Sequence, residues 1–102
     1  MTNIDEYAEW TSTIWQSGSN IHAAAYGLAE EVGEVMGLFK RRERGDGFDQ
    51  EKFIKEMGDS IYYWCRLCLA HGVRPSEVLA ENQIKLMDRK ARGVLRGSGD
   101  NR

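Results

Sequence analysis

Short clusters of glycine, serine and asparagine divide the sequence into four stretches, and each stretch repeats its apolar residues at helical intervals of three and four. No run of alternating β-branched residues is long enough to predict a strand. The predicted helices run from about Ile4 to Gln16, from Ile21 to Glu43, from an N-cap at Asp49 to near Gly72, and from Pro75 to Ala91. This pattern predicts an all-α domain.

Residues typical of helix ends support these boundaries. Asn20 and Asp49 suit the N-caps of the second and third helices, and Pro75 suits the first position of the fourth. The second and third helices are joined by a short connection, so we expect them to pack as an antiparallel helical hairpin. The glycine-rich stretch from Gly93 to Arg102 predicts an extended, flexible tail.

The size of the chain limits how much apolar surface it can bury. Its 102 residues correspond to one domain, residues 1–102, and a domain this small buries only roughly two thirds of the surface of its unfolded chain. The third helix nevertheless carries a wide apolar face, formed by Phe53, Met57, Ile61, Trp64 and Cys68. We therefore expect a four-helix bundle-like domain that is completed by oligomerisation.

Charge and hydropathy argue against several classes of protein. The formal net charge of -2 is too small to favour a nucleic-acid partner. No run approaches the ~18 apolar residues of a membrane span, and the N-terminus lacks the basic start and apolar core of a secretion signal, so we expect no membrane partner and a cytoplasmic location. Cys65 and Cys68 lie inside an apolar helical pattern and are interpreted as core residues rather than a redox pair.

Five carboxylates form the most informative chemical pattern in the sequence. Glu30, Glu31 and Glu34 have no lysine, arginine or histidine three or four residues away on either side, so the usual helical ion-pair partner is missing. Glu56 and Asp59 lie three apart on the third helix. Clustered carboxylates bind hard divalent cations, so the pattern predicts a Mg²⁺ site that would also accept Mn²⁺.

Two simpler interpretations of these acids stay open from the sequence. Glu56 and Asp59 each have a lysine four residues earlier and could form solvated ion pairs. The three glutamates could form an exposed acidic face, although Glu31 borders the apolar residue Leu28 and would then be partly buried without compensation. A di-iron or di-manganese bundle is disfavoured, because the sequence contains no Glu-x-x-His pair.

Basic and polar residues follow one another at intervals of three and four along the fourth helix and just beyond it. Mg²⁺ usually brings phosphate as a further ligand, and a cationic stripe suits a polyphosphate. The stripe consists of Asn82, Lys85, Arg89 and Arg92, and the tail adds Arg102.

Four glycines lie around the acids, at positions 27, 33, 37 and 58. Each costs roughly 1 kcal/mol of stability in a helix relative to alanine. Their presence therefore predicts that neighbouring helices approach closely there.

The two acidic motifs resemble those of a known enzyme family. Glu30-Glu-Val-Gly-Glu34, followed by Glu56-Met-Gly-Asp59, is similar to the E-E-x-x-E and E-x-x-D signature of the MazG-like, all-α nucleoside triphosphate pyrophosphohydrolases, which include the dimeric dUTPases and the dCTPases. The similarity extends from about Leu28 to Arg89. The chain carries a single short copy, without the second domain of longer relatives.

The resemblance implies a function and roles for particular residues. It implies cleavage of a nucleoside triphosphate between the α and β phosphates, giving a nucleoside monophosphate and pyrophosphate, in a house-cleaning role. It also implies a homodimer or homotetramer with sites at the subunit interface. The implied roles are metal ligation by Glu31, Glu34, Glu56 and Asp59, orientation or deprotonation of water by Glu30 with Glu31 as a catalytic partner, and phosphate binding by Lys40, Lys85 and Arg89.

The base of such a substrate needs aromatic faces and polar edges. The candidates are Trp10, Trp15, His22 and Tyr26 near the first loop, with Asn82 on the fourth helix as a further polar contact. Aromatic core packing explains each of these aromatic residues equally well. The competing function is a non-catalytic helical interaction module whose acids bind a structural cation.

Overall fold

The computed structural model describes residues 3–16, 20–100 and 102, and within these ranges it contains four helices and no strand. Their bounds are α1 Ile4–Thr11, α2 Ile21–Glu43, α3 Gln50–Ala70 and α4 Pro75–Ala91. The predicted all-α fold is therefore confirmed.

The first helix ends earlier than the sequence predicts. It stops at Thr11, and residues 12–15 form turns rather than a further helical turn to Gln16. The hydroxyl groups of Thr11 and Thr13 donate to the carbonyl oxygens of Ala8 and Trp10. Hydroxyl side chains that bond nearby backbone groups compete with the helix, which explains the early end.

The predicted N-caps of the next two helices are confirmed. The side chains of Asn20 and Asp49 accept hydrogen bonds from the backbone N–H groups of Ala23 and Lys52, at 3.1 and 3.0 Å. Such caps satisfy donors that a helix start leaves free.

The fourth helix begins with Pro75 as predicted, but its cap comes from the first helix. The carboxylate of Asp5 accepts a hydrogen bond of 2.9 Å from the backbone N–H of Ser76 and another from its hydroxyl. These hydrogen bonds lower the pKa of Asp5. The start of α4 is thereby fixed against α1.

Helices α2 and α3 form the expected antiparallel hairpin. Early residues of α2 meet late residues of α3, as Gly27 meets Tyr63, and late residues meet early ones, as the ring centroids of Phe39 and Phe53 lie 6.1 Å apart. Phe48 packs on both of those phenylalanines near the connection. This pairing fixes which side chains of the two helices face each other.

The other two helices leave part of the hairpin uncovered. Helix α1 packs on α3, and α4 packs on α1 and α3 without approaching α2 in the described part of the chain. The radius of gyration is 16.5 Å, whereas a compact chain of this length would have about 13 Å. Met57 and Ile61 on the predicted apolar face of α3 are 48% and 38% exposed, and Val32 on α2 is 45% exposed. A single chain therefore does not close the bundle.

The close approach that the glycines predict is found at one position. A Cβ at Gly27 would lie 2.4 Å from Cε1 of Tyr63, so the ring packs directly against the backbone of α2. Gly33 and Gly58 face open space, and a Cβ at Gly37 would make only ordinary contact with Arg41. For those three glycines the prediction of close helix approach is wrong within the single chain.

We expect the Gly27→Ala variant to be less stable than the wild type by about 1 to 3 kcal/mol, because the added methyl group would displace Tyr63. The matched control is Gly33→Ala, where the same change meets no atom and should stabilise the helix by up to about 1 kcal/mol. Urea unfolding followed by circular dichroism measures both free energies. Equal stability of the two variants would contradict the contact between Tyr63 and α2.

Candidate metal centre

Three carboxylates from two helices meet in the middle of the hairpin. Glu31 on α2 and Glu56 and Asp59 on α3 each place a carboxylate oxygen within 4.8 Å of the others. Glu31 and Glu56 are half-buried, and Asp59 is exposed. The antiparallel pairing of α2 with α3 brings these motifs together, as the sequence predicts.

The proximity of these acids changes the protonation of Glu31. Hydrogen-bonding contact with the Glu56 carboxyl, partial burial and repulsion from Glu56 and Asp59 together raise the pKa of Glu31 to about 7. Repulsion from Glu30 contributes to the same rise in pKa. In addition, Oε2 of Glu56 is buried and has no hydrogen-bond partner among the described residues. The site therefore carries a repulsive charge and an unsatisfied oxygen that a cation would compensate.

The alternative of solvated ion pairs finds no support in the geometry. Neither Lys52 nor Lys55 lies within ion-pair distance of a carboxylate in the described part of the chain. Glu56 and Asp59 instead turn toward Glu31. This arrangement differs from an ordinary charged helix surface, where such lysines would neutralise the acids.

Two of the predicted acids lie outside the three-carboxylate group. Glu30 and Glu34 are on α2 beside Glu31, but both are exposed and neither belongs to the group within 4.8 Å. Glu34 follows Glu31 by three positions, so it lies on the next helical turn. Its assignment as a metal ligand and that of Glu30 as a catalytic residue stay predictions.

An aromatic cleft adjoins the acids. It has a volume of about 530 Å³, and it is lined by Glu31 and Asp59 together with residues of α1, of the turns that follow α1, and of α3. Those residues are Tyr7, Trp10, Ile14, Gly58, Tyr62 and Tyr63. Trp10 is among the aromatic candidates from the sequence, whereas Tyr7 and Tyr62 are not, because the packing of α1 against α3 has no signal in either helix alone.

The other residues predicted to bind the nucleoside lie elsewhere. Trp15 follows α1 and packs against Tyr62 and Tyr63, with the guanidinium of Arg66 4.9 Å from its ring, so it serves the packing of the segment after α1 on α3. His22 is exposed and stacks on Tyr26 at 6.2 Å between ring centroids.

Asn82 borders two other clefts, along α4, and is not among the residues that line the cleft beside the acids. Trp15, His22 and Asn82 therefore do not line the cleft beside the carboxylates. Their contact with a nucleoside stays a prediction.

Two of the predicted phosphate ligands on α4 form ion pairs with the tail. Lys85 and Arg89 both contact Oδ1 of Asp100 at 3.2 Å, and Arg89 also donates to the carbonyl oxygen of Asp100. Arg92 pairs with Asp88. These three cations therefore already have acidic partners, and their role as phosphate ligands stays a prediction.

The tail itself is not extended. Arg102 donates to the carbonyl oxygens of Val94, Leu95 and Gly99, so the segment folds back on itself beside α4. Hydrogen bonds between such a glycine-rich segment and a helix leave no periodic pattern in the sequence, which explains why the prediction of an extended tail differs from the structure.

Lys40, the phosphate candidate on α2, is exposed and forms no ion pair with a described residue.

The cysteines follow the prediction. Cys65 is buried, Cys68 is half-buried, and both are free thiols. Burial raises the pKa of Cys65 to about 11, so this thiol is inert at neutral pH.

None of the described helices is both long and apolar enough to span a membrane.

Comparison with known proteins relates the chain to a phage protein. The chain is 38% identical to the Gene 37 protein of Mycobacterium phage L5 over 81 residues, which cover 74% of this chain and 71% of the phage protein. No protein-family profile matches the chain. No solved structure matches it either.

Proposed function

We propose that this chain, which belongs to the family of the Gene 37 protein of Mycobacterium phage L5, is a Mg²⁺-dependent nucleoside triphosphate pyrophosphohydrolase. The reaction is hydrolysis between the α and β phosphates to a nucleoside monophosphate and pyrophosphate. The observation that carries the proposal is the group of three carboxylates within 4.8 Å beside an aromatic cleft. The name of the phage protein states no activity, so the proposal depends on the site and on its motif resemblance.

The chemistry of the carboxylates supports Mg²⁺ as the cofactor, with Mn²⁺ as a substitute. Glu31, Glu56 and Asp59 offer only oxygen ligands, which hard cations prefer. The unsatisfied Oε2 of Glu56 gives a cation a ligand that would otherwise stay uncompensated. Glu34 would join as a fourth ligand after rotation of its exposed side chain.

The residues around the metal would activate water and bind the nucleoside. The bound ion would polarise the phosphates and neutralise the charge that develops during cleavage. Glu30 would orient or deprotonate the attacking water from its exposed position next to Glu31. Tyr7, Trp10 and Tyr62 would hold the nucleoside, because aromatic faces stack on bases and the cleft opens directly beside Asp59.

The open apolar face supports a homodimer or homotetramer. A groove of about 360 Å³ runs between the hairpin and α4 and is lined by Leu28, Met57, Ser60, Ile61, Trp64 and Leu79. Large apolar side chains that stay exposed in one chain favour burial against another. We expect light scattering after size exclusion to give the mass of two or four chains, and a single-chain mass would contradict this part of the proposal.

A house-cleaning role in the cytoplasm follows from this activity, since removal of unwanted nucleotides takes place where the nucleotide pool is. The competing function is a non-catalytic helical interaction module whose acids bind a structural cation. One observation favours it: Lys85 and Arg89 are engaged by the tail rather than left free for phosphate.

A panel of nucleoside triphosphates with Mg²⁺ separates the two functions. The pyrophosphohydrolase should release pyrophosphate, measured by a coupled assay, and the release should stop when EDTA removes the metal. Release of orthophosphate alone, or no turnover with any nucleotide, would refute the proposed activity. Metal binding in calorimetry without nucleotide binding would then identify the interaction module.

A further inference from the structure

The C-terminal tail, described at residues 93–100 and 102, is held against α4 by an arginine that is almost completely buried. The side chain of Arg89 is 5% exposed, and its Nη2 donates to the carbonyl oxygen and to Oδ1 of Asp100, at 3.0 and 3.2 Å. A buried guanidinium must be paired, because an unpaired one would be strongly destabilising. In this structure the tail provides that pairing.

The anion that pairs with Arg89 lies at the surface. The side chain of Asp100 is 84% exposed, and its Oδ1 is shared between Arg89 and Lys85. Both contacts measure 3.2 Å, whereas charge-assisted hydrogen bonds are usually about 2.7 to 2.9 Å long. Two cations thus share one oxygen of a solvent-facing carboxylate, and an anion with more oxygens would bind both better.

The backbone allows the tail to leave without disturbing the helix. Gly93 follows α4 directly and has a φ of 73°, and Gly99, next to Asp100, has a φ of 83°. Both values lie in the left-handed region that glycine adopts without strain. Rotation at these glycines would move Asp100 away while α4 stays intact.

We propose that Asp100 is an internal competitor for a polyphosphate site on α4, formed by Lys85 and Arg89, and that a polyphosphate binds there by displacing the tail. The exchange keeps Arg89 paired at every stage, since phosphate oxygens replace Asp100. The identity of the polyphosphate as the triphosphate of a substrate rests on the proposed function. The binding itself requires neither Mg²⁺ nor turnover.

The experiment is calorimetric titration with inorganic tripolyphosphate in EDTA, on the wild type and four variants. Asp100→Asn removes the competing charge, and we expect it to tighten binding by about threefold to tenfold, the range set by the loss of two ion pairs that share one solvent-exposed carboxylate. Glu81→Gln is the matched control, because it removes the same charge one helical turn from Lys85 and is not ion-paired among the described residues. The control should change binding less than Asp100→Asn does, because Glu81 is paired with neither Lys85 nor Arg89.

Three outcomes would overturn the proposal: no tripolyphosphate binding by any variant, an equal gain in Asp100→Asn and Glu81→Gln, or unchanged binding after Lys85→Ala. A Glu56→Gln variant keeps this test separate from catalysis. It should lose turnover yet bind tripolyphosphate as the wild type does, so failure of the enzymatic function and failure of the tail as competitor give different results.

Discussion

Glu56→Gln should reduce Mg²⁺-dependent release of pyrophosphate by about a hundredfold or more, because groups that only support metal ligands already cost 10- to 100-fold when they are removed. The change removes a charge and an oxygen ligand from the centre of the three-carboxylate group. The readout is the initial rate of pyrophosphate release at saturating Mg²⁺. We expect added metal not to restore the rate.

Unfolding would not explain such a loss. An amide at position 56 can donate to the carboxylate of Glu31, and it ends the repulsion between positions 31 and 56. The metal-free variant should therefore be at least as stable as the wild type in urea. Glu51→Gln, an exposed change in the first turn of the same helix, is the control and should keep nearly full activity. Wild-type turnover by the Glu56→Gln variant would exclude the carboxylate group as the active centre.

Local features of this fold were predictable because they depend on a few consecutive residues. Asn20 and Asp49 each satisfy a backbone donor three residues later, so a cap is visible in the sequence alone. The meeting of Glu31 with Glu56 was predictable too, since a short connection between α2 and α3 fixes their pairing.

Contacts between distant segments were not predictable in the same way. Asp5 caps α4 through Ser76, and no periodic pattern connects residues so far apart in the chain. Arg89 binds the tail through backbone carbonyl oxygens, which every residue offers, so the sequence does not distinguish this contact from a free cation.

The open apolar face shows a third limit of what the sequence can predict. The pattern of Met57 and Ile61 indicates which side of α3 is apolar, and it carries no information on whether the same chain covers that side. The aromatic cleft has the same origin, because Tyr7 and Tyr62 line it only after α1 packs on α3.

The metal-free protein should lose stability as the pH rises from about 4.5 to about 7, owing to Glu31. Its pKa is raised from 4.5 in the unfolded chain to about 7 in the folded one, so the folded state holds the proton more tightly. This contribution is fully present below the unfolded value and is lost as the pH passes the folded value. Asp5, whose pKa is lowered, acts in the opposite direction: its contribution is lost as the pH falls.

The comparison with Glu31→Gln isolates the effect, because both proteins contain the same Asp5. At pH 8 the metal-free variant should be more stable than the wild type by about 1 to 2 kcal/mol, a value reduced for partial exposure and screening, and at pH 5 the two should differ little. Glu30→Gln, at the exposed neighbouring position, should show a much smaller difference.

Mg²⁺ should reverse this order at pH 8. The ion would bind the deprotonated carboxylates of the wild type and stabilise the fold in proportion to its occupancy, whereas the Glu31→Gln site has lost a ligand and should respond weakly. Urea unfolding at pH 5 and 8, with and without the metal, measures all four differences. If the free energies of the two proteins follow parallel lines across that pH range and respond equally to Mg²⁺, then Glu31 neither faces Glu56 nor binds the ion, and the carboxylates act as independent surface charges.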